Sequence, residues 1–150
     1  MRFWAIQRDG SVPGLEYKVP NAAGPVLATF STMYSTVAYA PPWICYLASE
    51  DNTSVGTCGF KGPPAENRVE IAYITFPEHE GRGVASRMAQ QLLNIAKLES
   101  PGTVVAAQTL REEGASTRIL KKLGFEFWGE IQHPEDGPVW EWRHAPSKPA

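Results

Sequence analysis

The sequence predicts an α/β (α+β) fold, a mixed sheet carrying helices on its faces, and three observations lead there. Residues 83–98 place Val84, Met88 and Leu92 four apart, with Ala85, Ala89, Leu93 and Ala96 widening one apolar stripe, the pattern of an amphipathic helix. On either side stand VEIAYITF and TVVAAQTL, near-continuous apolar runs of strand length. A helix between two such strands predicts a parallel crossover, right-handed by rule. The remaining strands are separated by short turn signals, which predict hairpins.

In chain order, FWAIQRD at residues 3–9 reads as a short strand, followed by Gly, Pro and Asn punctuation. PVLATFSTMYSTVA, residues 25–38, predicts a helix whose β-branched residues weaken its propensity. WICYLAS and SVGTCGF predict two strands joined by the turn EDNT, and GPPAENR turns the chain into VEIAYITF, which Pro77 closes. The only charge inside that strand is Glu70. After the long helix and TVVAAQTL, ASTRILKKLGF predicts a short helix with Ala115, Ile119 and Leu123 inward and Gly124 as its stop. EFWGEIQ and PVWEWRH finish as strands around HPEDG. With no repeat and no dividing linker, residues 1–150 read as one domain.

At 150 residues the chain is long enough to bury roughly two-thirds of the surface its unfolded form exposes, so it needs no staples. A net charge of −2 argues against a surface built to neutralise nucleic-acid phosphates or anionic lipid, so neither partner is expected. Nowhere does an apolar run reach membrane-spanning length, and MRFWAIQRDG has no signal-peptide core, so a cytoplasmic location is expected. Cys45 and Cys58 read most simply as free buried thiols, with a single disulfide left open. His79, His133 and His144 are scattered without ligand spacing, and no metal is expected.

The stretch that carries chemistry is PEHEGRGVAS, residues 77–86. Gly81 and Gly83 stand at the start of the long helix, whose first N–H groups lack intrahelical partners and point along the positive end of the dipole. An anion fits there, and Arg82 and Arg87 would add charge. Glycine spacing alone is weak evidence, because many strand-to-helix turns carry glycines for geometry. Neither G-x-x-x-x-G-K-[ST] nor G-x-G-x-x-G is present.

VEIAYITFPEHEGRGVASRMAQQLL, followed after one strand by EEGASTRILKKLGFEFWGE, resembles the GNAT superfamily of acetyl-CoA-dependent N-acetyltransferases. More narrowly, it resembles the branch of the ribosomal-protein alanine acetyltransferases, over roughly residues 43–143. The resemblance implies a GNAT-like fold: a mixed, mostly antiparallel sheet with helices on both faces and a central parallel strand–helix–strand crossover. It implies acetyl-CoA as cosubstrate, its pyrophosphate held by the backbone of Gly81, Arg82, Gly83, Val84, Ala85 and Ser86. The first position of the family loop falls on Glu80, which removes a side-chain donor and predicts a carboxylate turned outward.

The same resemblance implies that the strand before the loop parts from its neighbour and pairs with the pantetheine arm through Ile74, Thr75 and Phe76. An N–H of Ile74 or Thr75 would then meet the thioester oxygen as it gains charge. Glu70 is the implied general base, since burial of a carboxyl group raises its pKa toward the range a base needs. The competing reading is a structural ion pair with an arginine such as Arg68. Leu120 occupies the place of the family's acidic tyrosine, leaving Ser116 as the substitute acid, with N-capping or helix packing as its alternative. Glu113 and Gly114 stand where the family carries an asparagine, so the resemblance implies a cofactor-binding place for Glu113.

The activity implied is direct attack of a primary amine, on a small molecule or a protein N-terminus, through a tetrahedral intermediate. A CoA-binding module without transferase activity is the competing reading, raised by Leu120 and the missing asparagine. Trp128, Trp140 and Trp142 pack the last hairpin or line an acceptor pocket, and Glu135, Asp136 and Glu141 would attract a cationic amine there. The first forty residues are expected on the acceptor side. Oligomeric state is open, a homodimer being one alternative.

Overall fold

The computed structural model describes residues 1–14, 28–29 and 32–145. Among the described residues, seven strands form one sheet in the order β1-β2-β3-β4-β5-β7-β6. They are β1 (Arg2–Ala5), β2 (Cys45–Glu50), β3 (Thr53–Phe60), β4 (Arg68–Thr75), β5 (Val104–Thr109), β6 (Glu126–His133) and β7 (Gly137–His144). Every neighbouring pair is antiparallel except β4 and β5. Those two are joined by α1 (Val84–Glu99), and α2 (Ala115–Lys122) connects β5 to β6. The mixed, mostly antiparallel sheet with its parallel crossover is the architecture the sequence predicts. The helix expected over residues 25–38 falls partly outside the described residues; within it, residues 28, 29, 32 and 33 are helical.

The turns follow from their residues. Between β2 and β3, Asp51 and Asn52 take positive φ of 50° and 59°, the left-handed pair that a two-residue hairpin needs and that Asp and Asn tolerate. Helix α2 ends on Gly124 at φ 94°, where the Phe125 N–H reaches the Leu120 carbonyl and the Gly124 N–H that of Lys121. That double closure satisfies carbonyls the helix end would otherwise leave orphaned.

The main core forms where α1 lays Val84, Met88, Ala89, Leu92, Leu93 and Ala96 against β3 and β4, including Val69 and Ile71. Val105, Ala107, Leu120, Phe125 and Trp142 extend it toward β7. On the expected inward face of α2 the structure differs: Thr117 and Leu120 are the buried residues, and Ala115 is exposed. Thr117 tolerates burial because its hydroxyl accepts the Gly114 N–H at 3.0 Å and donates to Glu113 Oε2 at 3.0 Å.

Candidate active site

Strands β4 and β5 are in register only from Arg68–Val104 to Glu70–Ala106, after which they part. On its other edge β4 stays paired with β3 from Ile71 to Thr75. Glu70 C=O accepts the Lys61 N–H, and the Phe76 N–H reaches Val55 C=O, both toward β3. Backbone groups alternate along a strand, so Ala72 and Ile74 also face β3, while Tyr73 and Thr75 face the gap that β5 has left. Of the two N–H groups expected to face a thioester, that of Thr75 points into the gap and that of Ile74 does not. Phe76 does not reach it either: its ring is 5% exposed, packed with Trp4 and Leu47, and its carbonyl accepts the His79 N–H.

The gap opens into a groove of about 710 Å³ that runs between the start of α1 and one face of α2. It brings together Ile74, Thr75, Gly81, Gly83, Val84, Ala85, Ser86 and Ser116 of the expected site. Gly81 and Gly83 both adopt left-handed φ, 74° and 76°, and Gly83 is the N-cap of α1 without a side-chain cap. The first intrahelical bond is Arg87 N–H to Gly83 C=O, so the N–H groups of Val84, Ala85 and Ser86 have no partner within the helix. A cluster of unpaired donors at a positive helix end is an anion site.

The charges around it are partly other than expected. Arg87 is held away by Glu50, at 2.7 and 2.8 Å, and by the Arg82 carbonyl at 2.9 Å. Glu113 also lies off the groove, paired with Lys121 at 3.1 Å and bonded to Thr117, and these partners hold its carboxyl below the usual range. Arg82 is exposed beside the groove rather than lining it. Glu80 is exposed on the groove wall. Arg118 and Lys122 line the groove from α2, and among the described residues neither has an ion-pair partner. Sequence reasoning missed them, although Ala115, Arg118, Ile119 and Lys122 follow the one-face spacing of a helix.

Ser116 is exposed and is not the N-cap; Gly114 is, and Thr117 supplies the capping hydroxyl. It lines both the groove and a smaller cavity of about 130 Å³ shared with Glu70, Lys61, Tyr73 and Gln108. Burial pushes the Tyr73 phenol up to about 12. An apolar cavity of about 100 Å³ adjoins at Lys61, Ala72 and Tyr73 and reaches Met33, Phe60 and Ile74.

The Glu70 side chain is 11% exposed and bound by cations on both oxygens. Oε1 accepts Arg68 Nη2 at 3.1 Å, while Oε2 meets Lys61 Nζ at 2.7 Å without accepting a hydrogen bond of regular geometry. The ion pair with Arg68, weighed from the sequence, is therefore present. Glu141, expected to attract an amine, is instead 1% exposed and enclosed by Arg68, Arg143 and Gln108. Trp142 is buried with its indole N–H on Thr109, and Trp128 is exposed under the Arg143 guanidinium at 3.8 Å. Asp136 stays in the hairpin turn near His133 at 3.5 Å.

A model of the acetyltransferase (GNAT) domain matches residues 6–126, and the chain belongs to that family. It is 34% identical over 85 residues to YjdG, an uncharacterised N-acetyltransferase of Bacillus subtilis, covering 55% of this chain and 49% of that protein. The chain thus spans about half the length of the curated relatives it matches. Among solved structures it is similar to a ribosomal-protein-alanine N-acetyltransferase from Brucella melitensis, with TM-score 0.58, 20% identity and 68% of each chain covered. It is also similar to yncA of Salmonella typhimurium, described as an acetyltransferase and solved with its cofactor acetyl-CoA. That match has TM-score 0.62 and 19% identity, and covers 90% of this chain and 79% of that one. These structural likenesses show a shared fold.

Proposed function

We propose that the groove binds acetyl-CoA and that the protein transfers the acetyl group to a primary amine. The observation that carries this reading is the parting of β4 from β5 after Glu70, directly beside the uncapped start of α1. The residues fit such a ligand: helix N–H groups without intrahelical partners for a pyrophosphate, the Arg118 and Lys122 cations lining the groove for further phosphate charge, and an open strand edge for an extended amide chain. Backbone N–H groups of Gly81 to Ser86 hold the pyrophosphate, and Arg118 and Lys122 face it from α2. The backbone of Tyr73 and Thr75 pairs with the pantetheine arm.

Bound there, acetyl-CoA supplies an activated thioester. The Thr75 N–H stabilises the negative charge that develops on the thioester oxygen as the amine nitrogen bonds to the carbonyl carbon. Glu70, whose carboxylate shares a cavity with Ser116 and Tyr73, takes the proton that the attacking nitrogen sheds. As the C–S bond breaks, Ser116 relays a solvent proton to the departing thiolate, a role its position between the two cavities supports. Holding both reactants in adjoining cavities removes much of the entropic barrier. The acceptor class is a small-molecule amine or a protein N-terminus.

Calorimetry with acetyl-CoA and a thiol-release assay over a panel of amines and N-terminal peptides test this. The expected result is binding together with acceptor-dependent release. The second reading, a CoA-binding module, is favoured by one observation: Leu120, at the family's acid position, is 0% exposed core. Binding without turnover on any acceptor would select that module, and no binding would overturn both readings.

A further inference from the structure

We propose that Glu141 is a positioning residue for the active site: it holds the Arg68 guanidinium in the orientation that presents Nη2 to Glu70. This rests on the reading of Glu70 as the base. Glu141 sits in the middle of β7, two strands away from Glu70 in the sheet order β4-β5-β7. A carboxylate buried to 1% exposure is costly unless charged donors surround it. Here they do. Arg68 donates from Nε at 3.4 Å to one oxygen and from Nη2 to the other, and Arg143 Nε and Gln108 Nε2 add bonds at 2.7 and 3.4 Å.

The connection to Glu70 runs through one nitrogen. Arg68 Nη2 donates both to Glu141 Oε1 and to Glu70 Oε1, the latter at 3.1 Å. Gripped at Nε and Nη2, the planar guanidinium is fixed in orientation as a single contact would not fix it. The path crosses β5 at Ala106, which pairs with Glu70 on one side and Arg143 on the other, and whose short side chain leaves room for the guanidinium. A pair serving stability alone needs no third member in the cavity. Here the chain ends on a carboxylate that shares its cavity with Ser116, Tyr73, Gln108 and Lys61.

Glu70 faces Lys61 and Arg68, and behind Arg68 stand Glu141 and Arg143. Removing the Glu141 carboxylate takes away the two-point grip that orients the Arg68 guanidinium toward Glu70.

The test compares Glu141→Gln, Glu141→Asp, Arg68→Gln and the double variant Arg68→Gln/Glu141→Gln with the parent protein. Glu141→Gln is expected to lower kcat about 10- to 100-fold while the acetyl-CoA dissociation constant stays within about twofold. Glu141→Asp recovers part of the rate. The double variant, which strands neither of these two charges, loses no more than Arg68→Gln alone. An unchanged kcat or additive losses would overturn the proposal. Glu70→Gln run alongside separates the two failures: if it is inactive while Glu141→Gln is fully active, only the positioning role falls. If Glu70→Gln is fully active, the base reading falls and takes this role with it. A readout independent of turnover is the Arg68 Nε–H signal in 15N-arginine spectra. It is expected to exchange slowly in the parent and in Glu70→Gln and to be lost in Glu141→Gln; its persistence there would equally overturn the proposal.

Discussion

Glu70 shows how far a single residue can be read from both directions. From sequence it is the only charge in an apolar strand; in the structure it is held by Lys61 and Arg68 and opens onto a cavity that Ser116 also lines. As the base, Glu70→Gln should lower kcat by about 10²- to 10⁴-fold while calorimetry finds acetyl-CoA affinity nearly unchanged. Full retained turnover would remove Glu70 from that role. Cys45 and Cys58 carry a second residue-scale prediction. Both are free and buried; burial pushes the Cys45 thiol up to about 11 and raises Cys58 well above its ordinary value. Thiolate is the reactive form. An aromatic disulfide reagent should therefore label neither thiol in the native protein and both after denaturation, and fast native labelling would contradict the packing around them.

At the scale of elements, α2 is where sequence and structure diverge most instructively. Ala115 and Ile119 look like a core face because they are apolar at helical spacing, yet they line the groove while Thr117 and Leu120 face the core. Periodicity reports which residues avoid water, and a ligand groove and a core both satisfy that condition. The same helix turns Arg118 and Lys122 to the groove. Replacing both with Ala should weaken acetyl-CoA binding by about tenfold at low salt and by less at high salt, because exposed charges are screened. Calorimetry at two ionic strengths measures this, and salt-independent affinity in the double variant and parent alike would argue that neither cation meets a phosphate. Much else was legible. All seven strands and both fully described helices lie close to their predicted positions, since alternation, the Asp-Asn turn and the Gly124 stop are local signals. Register was not. That Thr75 and not Ile74 faces the gap depends on pairing with β3, a tertiary fact that side-chain identity does not carry.

For the whole molecule, the ionic path Lys61–Glu70–Arg68–Glu141–Arg143 joins the end of β3 to β7 and ties the two halves of the sheet together across the last rungs that β4 and β5 share. Burial raises the Glu141 carboxyl, but hydrogen bonds from Arg68 and Arg143 outweigh it and leave it below the usual range. A depressed carboxyl contributes stability that is complete above the unfolded value of about 4.3 and disappears as pH falls through the lower folded value. Tm should hold between pH 5 and 7 on this account, decline below about pH 4, and decline less steeply in Glu141→Gln, as thermal scans across pH would show. An equal slope in parent and variant would place the acid sensitivity elsewhere.

The parted strands have one more consequence. An interior strand edge whose amides face a groove is exchangeable with solvent although it lies in the middle of a sheet, so the free protein should show fast hydrogen–deuterium exchange at Tyr73 and Thr75 beside slow exchange at Ala72 and Ile74. A ligand that lies along that edge completes the ladder as a temporary strand. Adding acetyl-CoA should then erase the odd–even alternation in exchange along β4, turning a comb of protected and unprotected amides into a continuous block.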